Sequence, residues 1–287
     1  MRTTCWIAAI FLSSCVSAPN AAVTDHWLRT SDGTTLAYDV RGHGAPTLVF
    51  VHCWAGERAF WREQLDEFAA EHQVVALDLA GHGGSQAHSK VSLDVLARDL
   101  VAVVDDVRAE RCILVGHSLG GPVSLRAAPL LAGRVLGVIG VETMHDVEID
   151  LPREQVETML AAFELDFEGA MRSAVRAMLP IKTPHELVAW ITTRACAARP
   201  DALLAISRAL LGTDLPALLG GAGVPVRCIN SAARPPFVQE TSLEHNRRHA
   251  DFDAVLIEGT GHFPQLERPR EFNQRLRACI EELAARR

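Results

Sequence analysis

The sequence has no run of lysine and arginine that would form a basic stripe. It contains 28 Lys and Arg against 35 Asp and Glu, which gives a formal net charge of -7 at pH 7. A surface that follows nucleic-acid phosphates needs clustered positive charge. We therefore expect no nucleic-acid partner, and the acidic balance by itself names no other partner.

Paired cysteine motifs are also missing. Of the seven cysteines, two lie in the first 20 residues and an odd number remains, so the pattern does not indicate a disulfide framework. No CxxC pair is present, and zinc is not suggested. Two of the remaining cysteines stand in apolar runs, where a free thiol behaves as a small hydrophobic group. We expect neither a metal nor a cofactor. The five later cysteines are Cys53, Cys112, Cys196, Cys228 and Cys279.

No apolar stretch reaches the ~20 residues that span a bilayer. Residues 6–12 (WIAAIFL) form a short apolar run after Met1-Arg2, which is typical of an export signal. The LSSC end resembles a bacterial lipoprotein box, which implies cleavage before Cys15 and lipid on that cysteine. An ordinary signal peptide cut near Ala18 and a cytoplasmic start are the alternatives. We expect a lipid-anchored protein on a membrane surface of the bacterial cell envelope, or otherwise a periplasmic or secreted one.

The chain has enough apolar residues for a large core, at 48% hydrophobic and 22% charged over 287 residues. No internal repeat is visible. A DG turn within residues 27–37 predicts a hairpin. Apolar runs at 47–52, 72–79, 112–115 and 135–141 alternate with helical patterns, including residues 58–70 and residues 93–107 with Ser92 as cap. This alternation predicts an α/β fold with a mostly parallel, doubly wound sheet.

The alternation stops between residues 151 and 220, where every segment has helical periodicity. Strand patterns resume at 226–229 and 253–257, and a closing helix follows at 269–284. We therefore predict a signal and linker at 1–20, a core formed by 21–147 and 221–287, and a helical cap insert at 148–220. Apolar cap residues could line a pocket, although most should form the core of the cap: Met159, Leu160, Phe163, Met171, Met178, Leu187 and Trp190.

One motif carries chemistry in its required context of strand, turn and helix. Residues 112–121 read CILVGHSLGG, so an apolar strand ends in a G-x-S-x-G turn and a helix begins. The sharp turn pushes the Ser118 hydroxyl out of the sheet, and glycines at 116 and 120 avoid collisions with it. Leu119 lies at the helix N-terminus, where its backbone N–H can face a developing oxyanion.

A serine hydroxyl needs a base, and position singles out one of the 12 histidines. Residues 252–263 (FDAVLIEGTGHF) form an apolar strand followed by a loop that carries His262. A loop after the last strand can return over the sheet to the serine. We therefore predict that His262 is the general base.

Four segments of the sequence belong together: HCWAG at residues 52–56, the DLAGHGGS turn at residues 78–85, the GHSLGG elbow and GTGHFPQLERPREF. With these segments, the chain resembles the α/β-hydrolase superfamily. The resemblance implies an oxyanion hole from the backbone N–H groups of Leu119 and Trp54. Cys53 stands where glycine is usual, so its Cβ is expected to crowd the loop or change its φ angle. A Cys53 thiolate nucleophile has no adjacent base in the sequence.

The orienting acid is open between two carboxylates. The usual loop, residues 230–237, contains no Asp or Glu. The alternative place follows residues 135–141, where some superfamily members carry a Glu; here Glu142 and Asp146 stand there. We favour Glu142 over Asp146, which would instead act at the cap hinge or help to fix His145.

The sequence thus predicts a serine hydrolase that acts on a small to medium acyl ester through an acyl-enzyme. C–C bond, lactone or amide hydrolysis and perhydrolysis use the same site, and a low-turnover ligand sensor is a further alternative. The oligomeric state is left open.

Overall fold

The computed structural model describes residues 24–149, 152–232 and 241–286. The predicted signal and Cys15 lie outside the described residues. The described part contains one eight-stranded sheet with strand order β1-β2-β4-β3-β5-β6-β7-β8. The strands are β1 (Thr24–Arg29), β2 (Thr35–Arg41), β3 (Thr47–Val51), β4 (Val74–Leu77), β5 (Cys112–His117), β6 (Val135–Val141), β7 (Val226–Ser231) and β8 (Phe252–Ile257).

Strand direction divides the sheet into two parts. β1 and β2 form the predicted antiparallel hairpin, whose turn uses Gly33 at φ 89°. β2 pairs antiparallel with β4, and from β4 to β8 all neighbours are parallel. The prediction of an α/β fold with a mostly parallel sheet is therefore confirmed.

Helices cover both faces of the sheet, as parallel strands require. The helices outside the insert are α1 (Arg62–Phe68), α2 (Leu93–Asp106), α3 (Gly120–Ala127), α9 (Leu243–Arg247), α10 (Pro264–Glu267) and α11 (Pro269–Ala285). Along β5, Leu114 packs in the apolar cluster with α2 and α3, whereas Ile113 and Val115 pack in the cluster with α1 and α11. This alternation is the two-residue period of a strand buried on both sides.

Five helices lie between β6 and β7 in the described residues, at the position predicted for the insert. The first four of them build a third apolar cluster together with core residues such as Phe60, and in it Leu160, Phe163 and Met171 are buried. The fifth packs Leu218 and Leu219 into the cluster with α2 and α3. Met159 is 50% exposed and so is not among the predicted cap residues that form its core. The helices are α4 (Arg153–Leu165), α5 (Phe167–Met178), α6 (His185–Cys196), α7 (Pro200–Leu210) and α8 (Leu215–Gly221).

Local differences from the sequence prediction have identifiable causes. The helix predicted from residue 58 begins at Arg62, after a 3-10 turn at Arg58–Trp61. The Arg58 backbone N–H donates to Asp78 Oδ1 at 2.7 Å, which holds this turn against the end of β4. Ser92 caps α2 as predicted, because its hydroxyl accepts from the Val95 N–H at 3.2 Å.

Among the described helices, none by itself has the length and apolar composition needed to cross a membrane; α7 and α8, bent by 85° at their junction, meet these criteria as a pair.

Candidate active site

The turn after β5 holds Ser118 in a backbone conformation that side chains rarely adopt. Its φ is 50°, in the left-handed region. The Ser118 N–H donates to the Val141 carbonyl at 2.9 Å, and the Ser118 carbonyl accepts from the Gly121 N–H at 2.9 Å. Strain of this kind persists where the surrounding structure enforces it, which is typical of functional turns.

The two glycines of the motif are required by space. A Cβ on Gly116 would lie 2.2 Å from the Gly120 carbonyl oxygen, and a Cβ on Gly120 would lie 2.3 Å from that of Val51. Both obstacles are backbone atoms, which cannot rotate away. The tight approach of β3, β5 and the start of α3 therefore depends on glycine at both positions.

His262 lies on the loop after β8, and both the core and the insert hold this loop. The carboxylate of Glu267 accepts from the N–H groups of Gly261 and Phe263 at 2.9–3.1 Å. The His262 N–H donates to the Met178 carbonyl at 2.9 Å, at the end of α5. A Cβ on Gly261 would lie 2.2 Å from that same carbonyl oxygen, so the close approach needs glycine.

His117, within the elbow, also holds the His262 loop. Its Nε2 lies 2.7 Å from the His262 carbonyl oxygen, which can only accept, so Nε2 carries the proton. Its Nδ1 accepts from the Gln265 amide at 3.1 Å. Burial lowers the pKa of His117 well below its ordinary value, so the ring is a neutral structural link. Sequence reasoning gave His117 no role, although its place beside Ser118 was a usable signal.

The structure brings Glu142 to His262. Glu142 follows β6, is 2% exposed and has φ 48°. Its Oε2 lies 3.5 Å from His262 Nδ1, and its Oε1 accepts from the Ser231 N–H. Burial acts to raise the pKa of Glu142, but the contacts with His262, His145 and the Ser231 amide outweigh it and the pKa is lowered. Glu142 is therefore an ionised carboxylate facing the imidazole at neutral pH.

Asp146, the alternative acid, is engaged elsewhere. Its Oδ2 lies 2.8 Å from His245 Nδ1, and its Oδ1 accepts from the Glu148 N–H at 3.0 Å. Its carboxylate thus contacts His245 rather than His145 or His262. It ties the segment after β6 to α9, a structural contact.

Two buried asparagines hold the segment that carries Glu142. The Asn230 Oδ1 accepts from the Thr143 N–H at 3.3 Å. The Asn246 side chain donates to the Met144 carbonyl at 2.7 Å and accepts from the Val147 N–H at 3.0 Å. The end of β7 therefore contributes an amide clamp where the family resemblance would place an acid.

The predicted oxyanion donors, Trp54 and Leu119, follow β3 and β5, which are neighbours in the sheet. Within the described residues, neither backbone N–H donates a hydrogen bond to protein. The Trp54 indole is tied to the insert, because Nε1 donates to the Leu203 carbonyl at 3.0 Å and the ring packs edge-on against Phe163 at 5.1 Å. Trp54 thus connects the oxyanion loop to the helical segment.

Cys53 fits its loop without left-handed backbone, contrary to the expected crowding. The left-handed residue is Ala55 at φ 57°, and the Gly56 N–H closes the turn on the Cys53 carbonyl at 3.0 Å. Burial raises the pKa of the Cys53 thiol to about 12. A thiol that stays protonated at neutral pH is a poor nucleophile.

Four loops at the carboxyl edge of the sheet thus carry a strained serine, an imidazole, a buried carboxylate and two free backbone N–H groups. This set matches what acyl transfer requires. Within residues 24–149, 152–232 and 241–286, no three His, Cys, Asp or Glu side chains are grouped as possible metal ligands.

Comparison with known proteins agrees with this fold. A sequence profile described as the alpha/beta hydrolase family matches residues 48–275. A strigolactone esterase of Pisum sativum, RMS3, is 24% identical over 262 residues, which cover 86% of this chain and 97% of that protein.

Two solved structures are similar over nearly their whole length. A thermophilic esterase from Thermogutta terrifontis has a TM-score of 0.77 at 21% identity, covering 92% of this chain and 99% of that one. An enol-lactonase from Burkholderia xenovorans has a TM-score of 0.77 at 20% identity, covering 89% of this chain and all of that one (100%). At these identities the structural likeness concerns the fold.

Proposed function

The chain belongs to the alpha/beta hydrolase family, and on this premise we propose that it hydrolyses carboxylic esters through Ser118, His262 and Glu142. The observation that carries the proposal is the contact of the buried Glu142 carboxylate with His262 Nδ1 at 3.5 Å, beside the strained Ser118 turn. A nucleophile, a base and an orienting acid are the requirements of this chemistry.

The contact with Glu142 selects the tautomer of His262. A carboxylate can only accept, so it favours the proton on Nδ1 and leaves the lone pair on Nε2. Nε2 then takes the Ser118 proton as Ser118 Oγ attacks the ester carbonyl, and Glu142 stabilises the imidazolium that forms. The imidazolium returns this proton to the departing alkoxide, which leaves as the alcohol.

The backbone N–H groups of Trp54 and Leu119 would hold the negative oxygen of the tetrahedral intermediate. Both are free of protein acceptors within the described residues. Two fixed donors stabilise charge that develops in the transition state without reorganising water. In the second half-reaction, His262 takes a proton from water as the water oxygen attacks the acyl carbonyl. The bond between Ser118 Oγ and the acyl carbon then breaks, the imidazolium returns the proton to Oγ, and the carboxylic acid is released.

The helical segment 148–220 would act as the cap over this site. Trp54 meets Phe163 and Leu203 on one side, and His262 meets Met178 on the other. The apolar cluster of the insert suits a small to medium acyl group rather than a charged one.

Hydrolysis of p-nitrophenyl esters of graded chain length tests the proposal, with wild type beside Ser118→Ala. We expect turnover in wild type and a loss of at least ~10⁴-fold in the variant, as for other nucleophile deletions. Cys53→Ser is the control for a thiol nucleophile and should keep turnover. Wild-type turnover in Ser118→Ala would overturn the proposed function.

We also propose that the mature protein is attached to a membrane by lipid on Cys15. The LSSC sequence supports this, and the residue lies outside the described part of the chain. Mass spectrometry of the mature N-terminus should find an acylated Cys15. An unmodified peptide that begins at Val16 or later would contradict the anchor.

A further inference from the structure

Glu142 faces a second imidazole besides that of His262. Its Oε2 is buried, lies 3.5 Å from His262 Nδ1 and lies 3.9 Å from His145 Nε2. Neither distance is that of a close hydrogen bond, and Oε2 has no such partner within the described residues. The side chain of His145 is 12% exposed, and no step proposed above uses it.

The Glu142 carboxylate and the Thr241 hydroxyl together favour one tautomer of His145. A carboxylate can only accept, so a neutral His145 ring carries its proton on Nε2, the atom that faces Glu142, and leaves Nδ1 as an acceptor. The Asn230 amide nitrogen donates to the Thr143 carbonyl at 3.3 Å and to Thr241 Oγ1 at 3.0 Å. Because Thr241 Oγ1 accepts from Asn230, its hydroxyl hydrogen is available to His145 Nδ1, 3.3 Å away.

We infer that His145 is a positioning residue for the proposed triad: a neutral N–H donor that shares the Glu142 carboxylate with His262. Through this sharing it sets how strongly the acid attracts the protonated form of the base. The inference rests on the proposed function, since His262 must act as that base.

The physical effect follows from the direction of the N–H dipole. The hydrogen on His145 Nε2, an atom 3.9 Å from Glu142 Oε2, carries positive partial charge and partly compensates the charge of the carboxylate. An imidazolium at position 262 then feels less attraction than it would beside an unshared carboxylate. Burial lowers the pKa of His145, which agrees with a neutral donor rather than a cation at neutral pH.

Apart from His262 and His145, the titratable groups around the Glu142 carboxylate are either uncharged near neutral pH or engaged with other partners. Burial lowers the pKa of His117 and raises that of the Cys228 thiol, so both stay uncharged near neutral pH. Burial also raises the pKa of Glu267, whose carboxylate is occupied by the Gly261 and Phe263 amides. Asp146 is paired with His245.

The test compares His145→Leu with His145→Gln by the pH profile of kcat/KM, whose acidic limb reports protonation of the base in the free enzyme. In His145→Leu the unshared carboxylate should move this limb upward by ~0.5 pH unit or more. His145→Gln keeps an N–H donor and should return the limb towards its wild-type position. A limb that stays in place or moves downward in His145→Leu would overturn the inference.

Thr241→Val provides a second route if His145→Leu does not fold. It removes the hydroxyl that fixes the His145 tautomer, so the limb should move in the same direction by a smaller amount. His245→Gln is the matched control, because His245 pairs with Asp146 and should leave the limb unmoved. An equal shift in His245→Gln would mean that the acidic limb responds to any disturbance of the segment after β6, and the inference would be rejected.

A measurement without turnover separates this inference from the proposed function. In the Ser118→Ala background, NMR titration of the His262 ring should show a higher midpoint when His145 is also Leu. If Ser118→Ala keeps its turnover, the proposed function fails whatever this midpoint does. If Ser118→Ala is inactive and the midpoint does not move, only the role of His145 fails.

Discussion

Of the histidines that face carboxylates, His88 and His262 lie in two regions that serve different purposes. His88 ties the turn between β1 and β2 to α2: its Nδ1 lies 2.8 Å from Asp32 Oδ2, and its Nε2 lies 2.8 Å from Asp99 Oδ2. His262, at the carboxyl edge of the sheet, faces one carboxylate, with Nδ1 3.5 Å from Glu142 Oε2. Within the described residues its Nε2 has no hydrogen-bond partner.

The difference shows what distinguishes a histidine that holds structure from one that can transfer a proton. Both nitrogens of His88 are occupied at short distance and its side chain is 3% exposed, so the ring is locked. A general base needs one nitrogen oriented and the other open to substrate. Contact with a carboxylate is therefore common to both roles, and the open nitrogen separates them.

Among changes to these histidines and the carboxylates that they face, the largest effect should come from removing the charge of Glu142. In Glu142→Gln the amide oxygen can still accept the hydrogen bond from the Ser231 N–H. In that orientation the NH₂ group of the amide faces His262 Nδ1 and donates to it. His262 would then be held in the tautomer that carries its proton on Nε2. We expect a loss of ~10³ to 10⁴-fold in kcat with the fold intact, measured by ester hydrolysis and circular dichroism. If kcat changes by less than tenfold, Glu142 is not the orienting acid.

The next effect should appear in stability rather than in activity. His88→Gln loses charge-assisted contacts to Asp99 and Asp32, which should lower the free energy of unfolding by ~2 kcal/mol near pH 6.5. Its kcat/KM should match wild type well below the unfolding temperature, because the hydrogen-bond partners of the His88 ring belong to the β1–β2 turn and α2 and not to the loops of Ser118 or His262. An activity loss comparable to that of Glu142→Gln would contradict the division between the two histidines.

The pH dependence of this variant has a definite sign. Burial acts to lower the pKa of His88, but the contacts with Asp99 and Asp32 outweigh it and the pKa is raised. The stability linked to this group is full below its unfolded pKa and is lost as pH rises through the folded one. Thermal unfolding between pH 6.5 and 9 should therefore show a steeper decline for wild type than for His88→Gln.

The smallest effect is expected at the His245–Asp146 pair. Asp146→Asn keeps an oxygen for the Glu148 N–H and loses only the charge that faces a partly exposed ring. We expect ester hydrolysis within about twofold of wild type and a stability change of ~0.5 kcal/mol. A kcat loss in the range expected for Glu142→Gln would reinstate Asp146 as the acid.

The parts of the candidate site whose geometry can be predicted from the sequence depend on neighbours along the chain. Gly116, Ser118 and Gly120 lie within one turn, so strand, turn and helix patterns identify their geometry without the rest of the fold. The alternation of strands and helices likewise predicts the parallel sheet, since each crossover is a local unit. The place of His262 after the last strand follows from the same order.

The contacts that the sequence left open join residues far apart in it. Glu142 and Asp146 both follow β6, and the choice between them depends on Ser231, His245 and His262, which come from other parts of the chain. The roles of His117 and Asn230 are equally hidden, because each depends on a partner brought close by packing.

The sequence by itself thus determined the family fold, the serine turn and the loop that carries the histidine, because each depends on the backbone preferences of short segments. The tertiary structure decided which carboxylate meets the histidine and which nitrogens stay open. Those outcomes are distances of a few ångströms between different loops, and only the packing of the whole sheet sets them.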